Sequence, residues 1–275
     1  MKRVDLQTAA AHLGLAATGI VVLFPFLWIV AAGFRTRISL LMGEFWFTPI
    51  LDNFRELLFS GTSDFLRNLL NSVIVAGCST AAVLTIATAG AYSLARLDWP
   101  HWLAVALLSF SVVFHILPAI TLVGGWYFLF RWAQLYNTYP GLVLAHTTLN
   151  LPLALWLMTA FMREVPKELE EAARIDGCSI PTMIRRVIVP VILPGLIAVG
   201  ILTFIGSWNE FVATLNLSAK QTQTVPVAIA KYAQENEIKF GEMAAGAALS
   251  LVPALILLIL GQRYIVRGLT AGAVK

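Results

Sequence analysis

The sequence predicts an all-α membrane protein: six transmembrane helices and one charged loop set aside for work on the inner side. Three observations carry this. First, hydrophobic residues make up 59% of the 275 positions and charged residues 12%. A soluble domain carries about 25% charged residues, so this chain cannot cover a water-facing surface and lipid must be part of its solvent. Second, six apolar stretches approach or exceed the roughly 20 residues that a hydrocarbon core requires. Third, the charged interval between the fourth and fifth stretches carries its own helix start and stop signals.

The stretches fall at roughly 13–34, 69–95, 102–129, 140–162, 190–215 and 244–265. Lys2 and Arg3 precede the first. That run is longer than a signal h-region of about 7–15 residues and no small-residue cleavage site closes it, so it reads as a retained span. The third and fifth stretches are long enough to tilt or break. Pro118, Pro152, Pro194 and Pro253 lie inside spans, where neighbouring helices can satisfy the carbonyls a proline frees. No polar block divides the chain, which reads as one transmembrane domain over 1–275.

Lys and Arg set the orientation. With the N-terminus inside, the inner segments hold Lys2, Arg3, Arg96, Arg163, Lys167, Arg174, Arg185, Arg186, Arg263, Arg267 and Lys275, 11 of the 19 basic residues; the longer outer segments hold the other 8. Both termini and the 163–189 loop then face the cytoplasm. The net charge of +4 fits this excess of inner cations and not a nucleic-acid footprint. Cys78 and Cys178 fit no metal or redox spacing.

Within 163–189, Pro166 suits the first position of a helix, where its missing N–H costs nothing. Glu164, Glu168, Glu170 and Glu171 lie near that start and complement the helix dipole. Leu169, Ala172, Ala173 and Ile175 give a small-residue apolar side, and Gly177 can end the helix in a left-handed turn. Ser179 and Pro181 then open a second short helix through Met183, Ile184 and Val187. The Ala pair presents little bulk, so another backbone can approach closely. Composition alone equally allows a helix lying on lipid headgroups.

Glu171-Ala172-Ala173, three residues, Gly177, nine residues and Val187-Ile188-Val189-Pro190 resemble the EAA signature of ABC importer permeases, with Val at both aliphatic positions. Further stretches resemble the MalG-like branch that serves carbohydrate importers: 71–100, with its Ala-Tyr-x-x-Ala-Arg ending; "WNEF" at 208–211; and "GLTAGAVK" at 268–275. The resemblance implies the type I importer permease fold, with a family core at about 66–265. It implies that Glu171, Ala172, Ala173, Asp176, Gly177 and Pro190 belong to a coupling element that docks into an ATPase subunit. It also implies partners: a second permease, two ATPase subunits that use ATP and Mg, an extracytoplasmic solute-binding protein and membrane lipid. No cofactor on this chain and no nucleic acid are implied. The place is a bacterial inner membrane.

Inside the membrane, Trp208, Asn209 and Glu210 lie late in the fifth stretch. An acid near the bilayer centre costs about 2.5–3.5 kcal/mol on insertion scales, so Glu210 should face a cavity, a partner or the headgroup boundary. One reading is a substrate path, where an indole stacks on a sugar face and amide and carboxylate bond hydroxyls. The other is an interfacial belt. Asn150 joins the path candidates. It belongs to a cluster of His146, Thr147, Thr148 and Asn150 before Pro152, which otherwise reads as bonding within and between helices. Trp126, Tyr127, Trp132, Tyr136 and Tyr139 read as an aromatic belt. His115 and His146 give no metal-site spacing.

No Gly-x-x-x-x-Gly-Lys-Ser/Thr occurs, so the chain has no phosphate-cradling loop of that type. Neither His-Glu-x-x-His nor Gly-x-Ser-x-Gly is present. An ion-coupled secondary carrier and an integral membrane enzyme are the alternatives. Neither would need an ATPase partner.

Overall fold

The structure, a computed structural model, describes residues 6–233 and 238–271. Lys2, Arg3 and the last four residues of the 268–275 tail lie outside the described residues. The helices in chain order are α1 (Leu6–Ala32), α2 (Arg37–Met42), α3 (Asp52–Phe59), α4 (Phe65–Arg96), α5 (His101–Ile116), α6 (Ala119–Trp132), α7 (Tyr139–Glu164), α8 (Lys167–Ile175), α9 (Ile180–Met183), α10 (Val189–Trp208), α11 (Val212–Leu217), α12 (Val225–Lys231) and α13 (Phe240–Ala271). No strand occurs among the described residues.

Among the described residues, five helical runs are long and apolar enough to cross a membrane: α1, α4, α7, the run Ile180–Trp208 and α13. The sixth candidate is a bent pair of helices, the geometry of a broken span or of a re-entrant loop. Residues 102–129 do not form a single helix; α5 and α6 meet at a 95° bend. Pro118 is the reason. Its ring disfavours the helical region for the residue before it, and Leu117 accordingly sits at φ −64°, ψ 128°, with Pro118 itself at φ −60°, ψ 134°.

The fifth span also departs from its sequence bounds, at both ends. The second short helix of the 163–189 loop is not separate: α9 runs through a π-helical turn, Ile184–Ile188, directly into α10. Val189 N–H bonds the carbonyl of Ile184, five residues back. Pro190 has no N–H for the carbonyl of Arg186, and a wider turn over that residue absorbs the mismatch. At the other end α10 stops at Trp208, well before 215, and α11 starts afresh at Val212.

The chain packs as two compact units. In the unit of residues up to 67 and 228–252, the backbones of Gly33 and Ala245 come so close that a Cβ on Gly33 would lie 3.1 Å from Ala245 Cα. Small residues permit such close packing in membranes. Asn53 Nδ2 donates to the carbonyls of Gly33 and Arg35, both at 2.9 Å. The Arg35 guanidinium is buried against the rings of Trp28 and Phe47, 4.6 and 4.2 Å from their centroids. Among the described residues, none of the most apolar stretch of α1 is buried within its own unit.

The unit of residues 68–227 and 253 onward holds the main core. One cluster joins Val83, Ala87 and Ala91 of α4 to Met158 and Met162 of α7, Ala173 of α8 and Ile192 and Val199 of α10. A second joins Val75, Val123, Phe130, Leu142 and Leu217. Asn71, fully buried, ties this unit's 219–224 loop to α4. Its Nδ2 donates to the carbonyls of Gln221 and Gln223, and its Oδ1 accepts from the Tyr139 hydroxyl at 2.7 Å. The Tyr139 hydroxyl therefore ties the start of α7 to α4 while its ring, like that of Trp132, stays exposed.

Candidate coupling helix and intramembrane polar site

α8 starts after Pro166, which serves as its N-cap residue, with Glu168 and Glu170 in the first turn. Its end follows the Schellman pattern. Gly177 takes φ +76°, its N–H bonds the Arg174 carbonyl, and the Cys178 N–H bonds the Ala173 carbonyl. The stop that Gly177 suggests in the sequence is therefore present.

The two faces of α8 do different things. Glu170 and Ala173, three residues apart and so on one side, point inward. Ala173 packs in the cluster with Met162, Val165 and Met183. This corrects one expectation: Ala173 does not share an open surface with Ala172 but seats the helix from beneath. The outer side holds Glu171, Ala172 and Asp176, together with Leu169 and Ile175, the latter 86% exposed. Gly177 and Pro190 are exposed as well.

What fixes α8 is an ion pair the sequence did not announce. Arg96, the last residue of α4, pairs through Nε with Glu170 Oε1, and its second guanidinium nitrogen donates to the Val165 carbonyl at 2.6 Å. The two side chains are only 6% and 5% exposed. In the sequence Arg96 is one inner cation among eleven and Glu170 one acid in a helix's first turn. Their 74-residue separation leaves no local signal of the pair.

The intramembrane candidates are sorted by burial. Trp208 is buried, and Phe204 stacks on it with ring centroids 5.7 Å apart. The indole thus offers no free face for a sugar, a correction to its place among the path residues. Glu210 is engaged locally: Oε1 accepts from Ala213 N–H at 2.8 Å and Oε2 from Thr214 N–H at 3.0 Å, which caps α11. Asn150 donates through Nδ2 to the His146 carbonyl at 2.8 Å. Its Oδ1 occupies the place where a Cβ on Gly206 would stand. Asn150 thus packs against α10 at Gly206 while remaining half-buried. Asn209, at the C-cap of α10, is the one path candidate with an exposed side chain. His146 is fully enclosed and bonds Ser207 and Thr214; His115, by contrast, is exposed. Among the described residues no group of three or more His, Cys, Asp or Glu is arranged to hold a metal.

Residues 87–271 match the family described as binding-protein-dependent transport system inner membrane component. The chain belongs to that family. It is a multi-pass importer permease of the inner membrane, and relatives align along nearly its whole length. The trehalose transport system permease protein SugB of Mycobacterium tuberculosis (strain CDC 1551 / Oshkosh) is 36% identical over 257 residues, 92% of each chain. The trehalose/maltose transport system permease protein MalG of Thermococcus litoralis is 33% identical over 281 residues, 100% of this chain and 99% of that one. The permease also shares its fold with a chain from a bacterial ABC transporter involved in the import of the acidic polysaccharide alginate. There the TM-score is 0.76 at 17% identity, with 96% of this chain and 98% of that chain covered.

Proposed function

We propose that this permease is one of two membrane subunits that pass a carbohydrate or related polyol from a solute-binding protein across the membrane. Both termini then face the cytoplasm, and α8 docks on one of two ATPase subunits. ATP and Mg are bound and ATP is hydrolysed on those partners; the permease itself catalyses no reaction and holds no cofactor. The observation that carries this reading is the construction of α8. An exposed strip of Leu169, Ala172 and Ile175 ends at a left-handed glycine and is clamped from beneath by a buried ion pair. A helix lying free on lipid headgroups needs no such clamp. The carbohydrate rests on the two sugar-transport relatives. The second permease rests on α1, whose apolar stretch its own unit leaves uncovered, and on Asn209, which needs a cavity to face.

Reconstitution tests it. Proteoliposomes holding both permeases and the ATPase, with binding protein and a labelled disaccharide outside, should accumulate sugar only with ATP inside. An Ala172→Trp permease should insert normally yet lose ATPase binding and uptake together. Sugar uptake by the permease alone under a proton or sodium gradient would instead establish the ion-coupled carrier.

A further inference from the structure

The fully buried His146 is hydrogen-bonded at both ring nitrogens: Nδ1 lies 2.6 Å from Ser207 Oγ and Nε2 lies 3.0 Å from Thr214 Oγ1. Proton directions follow from the far end of this chain. The Glu210 carboxylate only accepts, and it receives the Thr214 hydroxyl at 3.1 Å in addition to its two backbone N–H groups. Thr214 has one hydroxyl proton. Having given it to Glu210, it can only accept from His146 Nε2–H. With the ring proton on Nε2, Nδ1 of the neutral imidazole accepts from the Ser207 hydroxyl. Ser79 Oγ lies 3.0 Å from Ser207 Oγ and 3.2 Å from the Ala76 carbonyl, two acceptors for its single proton. The result is a one-way run from Ser207 on α10 through His146 on α7 to Thr214 on α11 and Glu210, with Ser79 of α4 touching its Ser207 end.

Ser207 lies just before the break that ends α10, and Thr214 lies just after it. One planar ring therefore holds both sides of the break, and Asn209 is the exposed residue between them. We propose that His146 is a positioning residue of this permease: it staples α10 to α11 and so fixes the turn on which Asn209 is presented to the solute. Its bearing on transport rests on the reading of Asn209 as a path residue; its bearing on the turn does not.

The two nitrogens can be tested separately, because a glutamine amide reaches where Nε2 stands and an asparagine amide only as far as Nδ1. In the assembled transporter, with Cys78 and Cys178 replaced by serine, Asn209→Cys is labelled with a membrane-impermeant maleimide. His146→Asn, which keeps the Ser207 side and gives up Thr214, and His146→Gln, which does the reverse, should each change the labelling rate by about two- to tenfold, the range of one neutral hydrogen bond, because either one opens the staple. Thr214→Val, which keeps volume and removes only the hydroxyl, should match His146→Asn and carries the measurement if that variant assembles poorly. Equal labelling in all these backgrounds, or a wild-type rate in either single-ended variant, overturns the proposal. The half-saturation concentration for transport is read in parallel with Asn209 intact. A labelling change with unaltered half-saturation removes Asn209 from the path while leaving His146 as the staple of the break.

Discussion

Arg96→Met should unseat α8, the proposed coupling helix, and its cost can be worked from the geometry. The Arg96 and Glu170 side chains are about 95% buried and face each other, and Arg96 also satisfies the Val165 carbonyl just before α8. Removing one member of a buried pair leaves the other charge without compensation, at a cost of about 3–5 kcal/mol. The Val165 carbonyl loses its side-chain donor as well. At 1.4 kcal/mol per factor of ten, this shifts the equilibrium between seated and unseated α8 by about a hundred- to several-thousand-fold. The helix has little else to hold it, since Ala173 is the inward apolar residue of its nine-residue length. The assay is co-purification of the ATPase with the variant permease in nanodiscs, combined with sugar-stimulated ATP hydrolysis. Both should collapse while the membrane spans still insert. The double variant Arg96→Met, Glu170→Met removes both charges, and an apolar replacement of a buried pair is often neutral or stabilising. It should therefore recover much of the lost ATPase binding. Wild-type binding and coupling in Arg96→Met would refute the reasoning outright. A double variant as defective as the single one would show that charge compensation is not what seats α8.

Three further outcomes are expected. Gly177→Val should cost about 1–2 kcal/mol, because a Cβ at φ +76° is strained although nothing lies within 4 Å of it; thermal unfolding and ATPase binding should fall together, while Gly177→Asn should be tolerated. Asn209→Ala should leave the melting temperature of the complex unchanged, because the side chain is exposed. It should raise the half-saturation concentration for transport a few-fold to about tenfold, as for one lost neutral hydrogen bond; a lowered melting temperature with wild-type affinity would take it off the path. Gly195→Ala should destabilise by about 1–3 kcal/mol, because its Cβ would stand 2.6–2.8 Å from the Phe161 ring, and thermal unfolding of the purified permease reads this directly.

What the sequence determined by itself was local. Hydropathy placed the spans because partitioning into lipid depends on runs of neighbouring residues. Gly177 announced the end of α8 because a left-handed backbone is a property of one position. The sequence did not single out Pro118, which reads like Pro152, Pro194 and Pro253; those three stay inside unbroken helices, whereas the chain bends by 95° at Pro118. What only the tertiary structure decided was which polar groups meet. Arg96 and Glu170 are 74 residues apart, and His146 lies 61 and 68 residues from Ser207 and Thr214. Nothing in their own neighbourhoods selects those partners. The same holds for facing. Ala172 and Ala173 are chemically identical neighbours, yet one is exposed and the other seats the helix, because a 100° step around a nine-residue helix puts them on different sides. Trp208, Asn209 and Glu210 read as one motif and separate in space into a buried ring, an exposed amide and a helix cap. That separation follows from where α10 stops. The stop lies where Glu210 turns its carboxylate onto the N–H groups of α11 and His146 bonds across to Ser207 and Thr214, an arrangement that exists only once α4, α7 and α10 are packed together.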